Sequence, residues 1–422
     1  MNIQLVLAVA VFAVTFAFIT IEKVHKTLVA LMGALAVLLL GLISQEEAFE
    51  GVDWNVIFLL AGMMIIANML RRTGVFQWTA MKMIDVAKGE PVRVMLLLSG
   101  LTAVTSAFLD NVTTVVLMVP LTIFVAHALG ISPVCFLIAE ILASNIGGAA
   151  TLIGDPPNII IGSAAGLDFG AFLVNMGPPI LVIYLIYMVM MVLFFRKELR
   201  ASPERRAQAV AMREEGIITD RRLLVQGLTV LGLVIVGFLL HGLLHYEAAT
   251  VAMAGAVVLM LVSKAEVPDM LSEIEWATLL LFLGLFVLVE ALIKVGFVSL
   301  VAQWMLDLTG GHQGLTTMVL LWGSGIASGI IDNIPYTATM VPIVQELGQT
   351  MPVEPLWWSL ALGACLGGNA TAIGASANVI VISLAERAGF RIHFVEFLKY
   401  GVAVTLMSLL VSSVYVWLRY LM

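Results

Sequence analysis

Long apolar stretches alternate with short polar segments along the whole chain, and the pattern occurs twice. Residues 109–120 read LDNVTTVVLMVP and residues 331–342 read IDNIPYTATMVP, an offset of 222 positions. Residues 147–158 read GGAATLIGDPPN and residues 367–378 read GGNATAIGASAN, an offset of 220 positions. A pattern that recurs at an almost constant offset over the whole chain predicts two homologous halves.

The apolar stretches predict ten membrane-spanning segments, because each is about as long as a helix that crosses a bilayer. They lie at about 3–21, 27–44, 55–70, 132–166, 177–195, 223–243, 248–263, 277–293, 355–389 and 398–420. Two further segments, 93–129 and 315–349, are each interrupted by an Asp-Asn pair and are long enough for two half-depth helices. We predict that both are re-entrant hairpins, since non-helical backbone at membrane depth must be buried in protein or line a polar cavity. The stretches 74–92 and 296–312 predict surface helices beside the hairpins.

Each half therefore has five crossings and one hairpin, which is an odd number, so the second half must be inverted relative to the first. The predicted fold class is an all-α integral membrane protein with two inverted-topology repeats, about ten transmembrane segments and two re-entrant hairpins with broken helices. The predicted domains are a first inverted repeat at 1–195, a basic linker at 196–222 and a second inverted repeat at 223–422.

The basic residues predict the orientation in the membrane. An N-terminus outside places 19 of the 21 Lys and Arg residues on the cytoplasmic side, and eight of these are in the linker. Cytoplasmic loops carry an excess of Lys and Arg, so we expect the linker to be cytoplasmic. The net charge of −7 adds little to this distribution.

The composition excludes a soluble protein and gives no sign of a cofactor. Hydrophobic residues make up 61% of the chain and charged residues 12%, whereas a soluble domain has about 25% charged residues. No Walker A motif, GxGxxG fingerprint or zinc signature is present. Cys135 and Cys365 lie in apolar segments at positions that do not correspond between the repeats, so we expect neither a disulfide framework nor a metal site. We therefore expect no cofactor, no nucleic-acid partner and no enzymatic activity, and an energy source in an ion or substrate gradient.

The Asp-Asn pairs, Asp110-Asn111 and Asp332-Asn333, mark the predicted hairpin tips. Asp and Asn are good helix N-caps, so the pairs could simply begin the second helix of each hairpin. A capped helix that begins inside a membrane also points its amide groups at the site between the repeats. The two interpretations are compatible, and we predict that Asn111, Asn333 and the neighbouring Thr113 bind substrate.

The paired glycines, Gly147-Gly148 and Gly367-Gly368, predict a break in each long apolar stretch. Glycine could instead serve only close helix packing. That alternative does not explain why Thr and Asn follow at the same spacing in both halves. The predicted substrate-binding residues of these segments are Gly148, Thr151, Asn158, Gly368, Asn369, Thr371 and Asn378.

Asp155 breaks the symmetry of the repeats, because Ala375 occupies the corresponding position. An acid deep in a membrane is costly unless it is paired, protonated or hydrated, so Asp155 is our first choice for a proton carrier. Asp110 and Asp332 are rival carriers, and Glu140, inside a predicted span, is a fourth candidate that could instead be a structural acid. The alternative for Asp155 is a structural cap of the helix that begins near residue 158.

With these motifs the chain resembles the ion transporter superfamily, which includes arsenite permeases, the melanosomal P protein, sodium/proton antiporters and dicarboxylate or citrate carriers. The segment ATLIGDPPNIIIG at 150–162, preceded by LDNVTTVVLMVP, is most similar to the arsenite permease and P protein branch. The dicarboxylate branch has Ser-Asn-Thr at each tip, whereas this chain has an acidic residue there. An acidic tip repels an anionic substrate.

The resemblance implies a bacterial inner-membrane carrier that exports arsenite or antimonite, the neutral trihydroxides, in exchange for protons. The hydroxyl groups of such a solute suit Asn and Thr side chains and exposed backbone. The alternatives within the superfamily are a sodium/proton antiporter, which would use Asp110, Asp332 and Asp155, and a sodium-coupled anion or dicarboxylate carrier. An anion channel or a receptor without transport is a further alternative. Besides the small inorganic substrate, the coupling ion and membrane lipid, the sequence leaves a homodimer open.

Overall fold

The computed structural model describes residues 3–21, 23–211, 217–244, 246–264 and 266–422, with the side chains of 241–244 excepted. Five residues of the predicted linker, 212–216, lie outside the described residues. The described residues form helices and no strands.

The helices of the two halves follow the same order. In the first half and the linker they are α1 (Ile3–Ile21), α2 (Lys26–Leu39), α3 (Gln45–Glu50), α4 (Trp54–Arg72), α5 (Val75–Ala87), α6 (Pro91–Phe108), α7 (Asn111–Leu129), α8 (Val134–Gly148), α9 (Pro156–Ala165), α10 (Phe169–Asn175), α11 (Gly177–Phe195) and α12 (Pro203–Ala211). In the second half they are α13 (Arg221–Leu244), α14 (Ala248–Ser263), α15 (Val267–Ser272), α16 (Trp276–Lys294), α17 (Phe297–Thr309), α18 (Gln313–Ile330), α19 (Asn333–Leu347), α20 (Glu354–Gly367), α21 (Ser376–Arg387) and α22 (Phe394–Val416), which continues into a π-helical turn at Trp417–Leu421.

The paired helices of the predicted hairpins and the predicted breaks are present in the structure, although α6 and α7, with 18 and 19 residues, are longer than the half-depth helices that were predicted. The first hairpin is α6 with α7 and the second is α18 with α19. The predicted spans 132–166 and 355–389 are each divided, because the chain is non-helical between α8 and α9 and again between α20 and α21. The predicted span 27–44 ends early, at Leu39, since the chain turns at Gly41, whose φ is +66°. The short helix α3 was not predicted, although Ser44 and Glu47 form a capping box at its start.

By length and composition, eight helices among the described residues can cross a membrane. They are α1, α4, α6, α7, α11, α13, α16 and α22 with its final turn. The bent pair of α9 and α10, with an angle of 115° between them, would be a ninth. The helices α2, α8, α14 and α17 are apolar but shorter. The predicted fold class, an all-helical membrane protein with broken helices, is confirmed.

The two halves run in opposite directions through the fold. Arg72 at the end of α4 pairs with Glu273 just before α16, with 2.8 Å between Nη2 and Oε1. Lys294 at the end of α16 pairs with Glu47 just before α4, with 2.6 Å between Nζ and Oε2. Because α4 and α16 occupy corresponding positions in the repeats and are antiparallel, the repeats are inverted.

Two glycines make the same helix crossing in both halves. A Cβ atom added at Gly62 in α4 would lie 2.8 Å from the carbonyl carbon of Ala252 in α14. A Cβ atom added at Gly284 in α16 would lie 2.8 Å from the carbonyl carbon of Ala30 in α2. In each half, therefore, the helix that carries the glycine packs closely on a helix of the other half. The two crossings are equivalent and are related by the pseudo-two-fold axis.

The helices divide into two packed groups. We name α1–α4 with α13–α16 the outer body, because these helices pack mainly on one another. We name α6–α9, α11 and α18–α22 the core body, which contains both hairpins and both broken segments. The helices α5 and α17 lie between the outer body and the hairpins. Direct contact between the bodies is made where α4 meets α7 and α9, and where α16 meets α19.

The described part of the linker packs against the base of the first hairpin. The Cβ atom of an alanine at Gly130, just after α7, would lie 3.4 Å from Nε of Arg205 in α12. The backbone N–H of Thr219 donates to the carbonyl oxygen of Thr73 at 3.0 Å. The linker and the base of the first hairpin are therefore on the same side of the protein.

We expect trypsin to cut the linker in everted membrane vesicles and to leave it intact in whole cells. The reason is the excess of basic residues on this side, which predicts that it faces the cytoplasm. Immunoblotting of an N-terminally tagged protein measures the cleavage, with a cytoplasmic marker protein as the control for cell integrity. Cleavage between 196 and 222 in intact cells would reverse the orientation of the whole protein.

Candidate functional site

Each hairpin tip is closed by an aspartate that caps the following helix. Asp110 Oδ1 accepts a hydrogen bond from the backbone N–H of Thr113 at 2.9 Å. Asp332 Oδ1 accepts one from the backbone N–H of Ile334 at 3.1 Å. The capping interpretation is therefore correct for both aspartates, and it leaves Asn111 and Asn333 as the first residues of α7 and α19.

Asp155 lies where the two hairpin tips meet. The amide nitrogen Nδ2 of Asn111 donates to Asp155 Oδ1 at 3.2 Å. The amide nitrogen of Asn333 donates to both oxygens of the same carboxyl group at 3.3 Å. Asp155 precedes α9 at the N-cap position, but its side chain makes no capping bond and is completely buried. The carboxyl group thus joins the tips of the two repeats and does not serve as a structural cap.

Asn145 in α8 extends this polar cluster into the second half. Its oxygen lies 3.4 Å from Nδ2 of Asn111. Its own amide nitrogen donates to the side-chain oxygens of Asn369 and Asn378, both at 2.9 Å. The amide nitrogen of Asn369 is buried and has no hydrogen-bond partner in the part of the chain that the structure describes. A continuous set of side-chain amides therefore runs from Asp155 into the broken segment of the second repeat.

The remaining predicted residues hold the broken backbone together. Asn158 donates to the carbonyl oxygens of Ala149 and Thr151, at 3.2 and 2.8 Å. Asn378 donates to those of Gly368 and Thr371, at 2.8 and 2.9 Å. These bonds satisfy carbonyl groups that a continuous helix would have paired. Both asparagines thus act on the backbone in the same way in both repeats.

The threonines and glycines of the broken segments make repeat-related contacts with the hairpins and with one another. The Thr151 hydroxyl donates to the carbonyl oxygen of Ala107 in α6, and the Thr371 hydroxyl donates to that of Gly329 in α18 at 2.6 Å. A Cβ atom at Gly148 would lie 2.6 Å from the carbonyl oxygen of Gly154. At Gly368 it would lie 3.1 Å from that of Gly374. The structure brings all of the predicted residues of these segments together near the hairpins.

A cavity of about 580 Å³ lies between the outer body and the core body, next to this polar cluster. The core body contributes Asp110, Pro156 and Ser376, and the outer body contributes Lys26 and Glu275. The cavity reaches the start of α9, whereas Asp155 itself is buried behind it. A solute in the cavity would therefore contact the hairpin tips before it could reach Asp155.

An ion pair crosses between the two bodies beside the cavity. Lys26 Nζ at the start of α2 lies 2.7 Å from Asp332 Oδ2 at the second tip. The hydroxyl group of Ser376, at the start of α21, donates to the same oxygen at 2.7 Å. Lys26 also donates to the Ser376 hydroxyl group. Asp332 therefore uses one oxygen as a helix cap and the other for a contact with the outer body.

Glu140 lies apart from the contacts around Asp155. It is buried between α7 and α8, where its Oε1 accepts a hydrogen bond from the hydroxyl group of Thr122 at 2.6 Å. Its other oxygen has no hydrogen-bond partner among the described residues. The structure therefore does not connect Glu140 directly to the hairpin tips.

The sequence prediction missed three polar residues of the site. Asn145 could have been noticed, since an asparagine in an apolar stretch two positions before Gly147-Gly148 is unusual. Lys26 was counted only among the basic residues that predict the orientation. Ser376 was not selected, because the corresponding residue of the first repeat, Pro156, has no polar side chain. Their contacts join residues that are far apart in the sequence, so no local pattern predicts them.

Cys365 corresponds to Asn145 in the other repeat, at an offset of 220. Its thiol group lies 3.3 Å from Asn158 Oδ1, and Asn158 corresponds to Asn378. The Cys365–Asn158 contact is therefore the counterpart of the Asn145–Asn378 hydrogen bond. Sequence reasoning placed both cysteines outside the site, and the structure brings Cys365 next to it.

Two inverted repeats, paired hairpin tips and a buried acid between them define a multi-pass membrane transporter. The chain belongs to the citrate transporter family (CitMHS), whose family model matches residues 16–363. This family is part of the ion transporter superfamily, so the predicted resemblance is confirmed.

The relatives of the chain are transporters and membrane proteins. It is 47% identical to a 46 kDa membrane protein of Mycobacterium leprae, over 99% of each chain. It is also 47% identical to an uncharacterized transporter of Mycobacterium tuberculosis, over 98% of this chain and 99% of the relative. The human P protein is 34% identical over 98% of this chain and 59% of its own length.

A solved transporter has the same fold. The YdaH transporter of Alcanivorax borkumensis matches with a TM-score of 0.59 and 14% identity, over 99% of both chains. At this identity the match concerns the fold alone. It agrees with the arrangement of helices described above.

Proposed function

We propose that this protein is a secondary active transporter that exports arsenite or antimonite, as the neutral trihydroxide, in exchange for protons. The observation that supports this most strongly is the Asp155 carboxyl group, held between the Asn111 and Asn333 amides of the two repeats. Among the described residues, Asp155 is the one acid whose side chain accepts hydrogen bonds from the asparagines of both tips. A proton gained or lost there acts on both halves of the protein at once.

The charge of the cavity argues against a tricarboxylate such as citrate, which gives the family its description. Asp110 and Glu275 line the cavity, and Lys26 is the only Lys or Arg among the described residues that do so. Lys26 is already paired with Asp332. A polyanion entering this cavity would meet uncompensated carboxylates, which is costly at low dielectric constant. A neutral solute pays no such cost.

The chemistry of a carboxyl group gives a reason for exchange. An ionised carboxylate has only acceptor oxygens, which suit the hydroxyl groups of a trihydroxide. When Asp155 takes up a proton, it loses its charge and one of its acceptor positions. Substrate and proton would therefore compete at Asp155, as antiport requires. Export of a neutral solute for one proton moves one charge inward, a driving force of about 2.3 kcal/mol per 100 mV.

Access to Asp155 requires the hairpin tips to move. The carboxyl group has no exposed surface in this conformation, although the cavity reaches the adjacent Pro156. The outer and core bodies meet at a few helix contacts, and the cavity lies between them. Movement of one body against the other would open the site alternately to the two sides of the membrane.

The direct test is transport in everted membrane vesicles, whose cytoplasmic face points outward, so that export from the cell is measured as uptake into the vesicle. We expect radioactive arsenite or antimonite to accumulate in vesicles whose interior is more acidic than the medium. An uncoupler should abolish the accumulation. Citrate should not accumulate under the same conditions. Vesicles from cells without the protein are the control, and equal arsenite accumulation in both would overturn the proposal.

The second candidate function is cation/proton antiport, because carboxylates outnumber cationic groups at the cavity. Asp110, Asp332 and Asp155 would then share sodium and protons. The same vesicles distinguish the two functions. Sodium that collapses a preformed proton gradient without arsenite favours the antiporter, whereas collapse only with arsenite or antimonite favours the first proposal.

We expect a variant with Cys135→Ser and Cys365→Ser to keep arsenite tolerance, since we infer recognition by hydroxyl groups. Serine at 365 can still donate to Asn158 Oδ1, as the cysteine does at 3.3 Å. Cys365→Ala, in contrast, leaves that oxygen buried without a donor, which costs about 1–3 kcal/mol of folding free energy. Growth on arsenite and thermal unfolding in detergent measure the two effects.

Cys135→Ala is the matched control for the loss of stability. The described hydrogen bond of the Cys135 thiol goes to the nearby carbonyl oxygen of Ser132, at 3.4 Å, and its loss strands no buried side-chain oxygen, so a smaller effect is expected. If the double serine variant folds normally but loses arsenite tolerance, recognition involves a thiol and the hydroxyl hypothesis is wrong.

A further inference from the structure

The contact between Lys26 and Asp332 is the one ion pair among the described residues that joins the two bodies. Lys26 belongs to the outer body at the start of α2, and Asp332 caps α19 in the core body. The side chain of Lys26 is 25% exposed and that of Asp332 is 7% exposed. The pair is therefore mostly shielded from water, so its Coulomb attraction is screened less than that of a surface ion pair.

Only one of the two repeats has this contact. Position 248, which corresponds to Lys26, is an alanine, and Pro156 corresponds to Ser376. Asp110, the counterpart of Asp332, has its described hydrogen bond within its own tip, to Thr113. The second tip is thus tied to the outer body, whereas the first tip has no equivalent cation in sequence.

This asymmetry matters in a protein made of inverted repeats. The two end states of such a transporter place the equivalent tips in exchanged surroundings. A cation that serves only one tip stabilises one of the two states more than the other. Asp110, Glu275 and His25 also line the cavity, and Asp155 is buried behind the tips. Lys26 is the one Lys or Arg among the described residues that line the cavity.

We propose that Lys26 is a positioning residue of the transport cycle, which holds the second hairpin tip against the outer body in this conformation and must release it for the bodies to move. The inference rests on the proposed transport cycle only in requiring that the two bodies move. The ammonium group acts through Asp332 and Ser376, and it need not touch the substrate. Its loss changes the balance between the conformations without changing the fold.

The test measures the distance between the bodies in the purified, full-length protein without any substrate. Spin labels on cysteines placed at Ser272 in α15 and Glu386 in α21 report the outer and core bodies, and both positions are exposed. The native cysteines are buried, so they should not take the label. We expect Lys26→Gln to change the ratio of the two distance populations at least about fivefold, as for a coupling of 1 kcal/mol or more. Lys26→Arg should restore the wild-type ratio.

Lys294→Gln is the matched control, because Lys294 pairs with Glu47 at 2.6 Å inside the outer body. The hydrogen bond from Lys294 lowers the pKa of Glu47 to about 2, so Glu47 stays ionised at neutral pH. Lys294→Gln should leave the distance ratio unchanged. Asp332→Asn should change it as Lys26→Gln does, and the double variant should change it no further.

An unchanged ratio in Lys26→Gln would overturn the proposal, and so would an equal change in Lys294→Gln. The same holds if the effects of Lys26→Gln and Asp332→Asn add, because they would then act independently. Since no substrate is present, these results do not depend on whether arsenite is transported. Failure of arsenite transport with a shifted ratio would refute the proposed substrate and leave the role of Lys26 in place.

Discussion

Gly147→Ala is expected to prevent normal folding or to lower stability by about 3 kcal/mol or more. The added Cβ atom would lie 2.1 Å from the carbonyl oxygen of Ala103 and 2.5 Å from its Cα atom. Both of these atoms belong to the backbone of α6, so no side-chain rotation can relieve the clash. Overpacking in a core usually costs about 1–3 kcal/mol of stability. We expect a clash of a Cβ atom with the backbone of another helix to cost an amount at or above the upper end of this range. Thermal unfolding and monodispersity in detergent measure the effect.

Two further variants test the explanation. Gly367→Ala, the repeat mate, should have a similar but smaller effect, because its Cβ atom would lie 2.5 Å from the carbonyl oxygen of Gly325 in α18. Gly323→Ala is the matched control in the same hairpin helix, where nothing lies within 4 Å of the new atom. It should be neutral or stabilising by about 0.5–1 kcal/mol, since glycine is unfavourable inside a helix. A Gly147→Ala protein as stable as the wild type would mean that α6 and α8 are not in contact.

These glycines show why so much of the fold could be predicted from the sequence. Close helix crossings in a membrane need small residues, and interrupted helices need glycine or proline, so both leave visible marks in an apolar chain. Because the chain carries each mark twice, the offset of the repeats identified the hairpins and the broken segments directly. The odd number of crossings per half then required inversion, which the Arg72–Glu273 and Lys294–Glu47 pairs confirm.

The contacts inside the site were less predictable, for a physical reason. Asn158 and Asn378 were predicted to bind substrate, whereas in the structure their amides donate to carbonyl groups of the broken segments. The same residue type serves either purpose, and only the direction of the side chain distinguishes them. Asn145 and Lys26 act across the boundary between the halves, so their partners lie more than 200 positions away. The role of Asn158 and Asn378 as substrate ligands stays a prediction.

The site combines a symmetric frame with asymmetric charges. Each repeat has a hairpin tip capped by an aspartate and followed by an asparagine. Each also has a break in a helix whose free carbonyl groups are hydrogen-bonded by a second asparagine. Asp155, Lys26 and Glu140 have no charged counterparts, since the corresponding residues are Ala375, Ala248 and Leu360. A symmetric frame lets the protein take two related conformations. Charged residues that occur in only one repeat give those conformations different affinities for a proton.

Asp155→Asn is expected to fold, to bind substrate more weakly through the remaining amide and hydroxyl groups, and to lose proton-driven transport. Asparagine has nearly the same shape as aspartate, but it cannot exchange a proton at membrane depth. The Nδ2 group introduced at position 155 is a donor and would face the donor Nδ2 group of Asn111 or Asn333. One of these two amides must therefore present its oxygen instead. The amide of Asn333 can turn its oxygen toward that group, since its described side-chain hydrogen bonds all go to Asp155. The fold should therefore tolerate the change.

The measurement is substrate-dependent proton movement in proteoliposomes, followed by an internal pH dye, with arsenite and antimonite as the test substrates. We expect Asp155→Asn to show no more proton movement than empty liposomes, while arsenite exchange down its own gradient continues. Asp110→Asn is the matched control, because asparagine caps a helix about as well as aspartate and the described side-chain hydrogen bond of Asp110 is to its own tip. It should keep most of the coupled transport. Wild-type coupling in Asp155→Asn, with loss in Asp110→Asn or Asp332→Asn, would instead place the proton carrier at a hairpin tip, and Asp155 would then only join the two repeats.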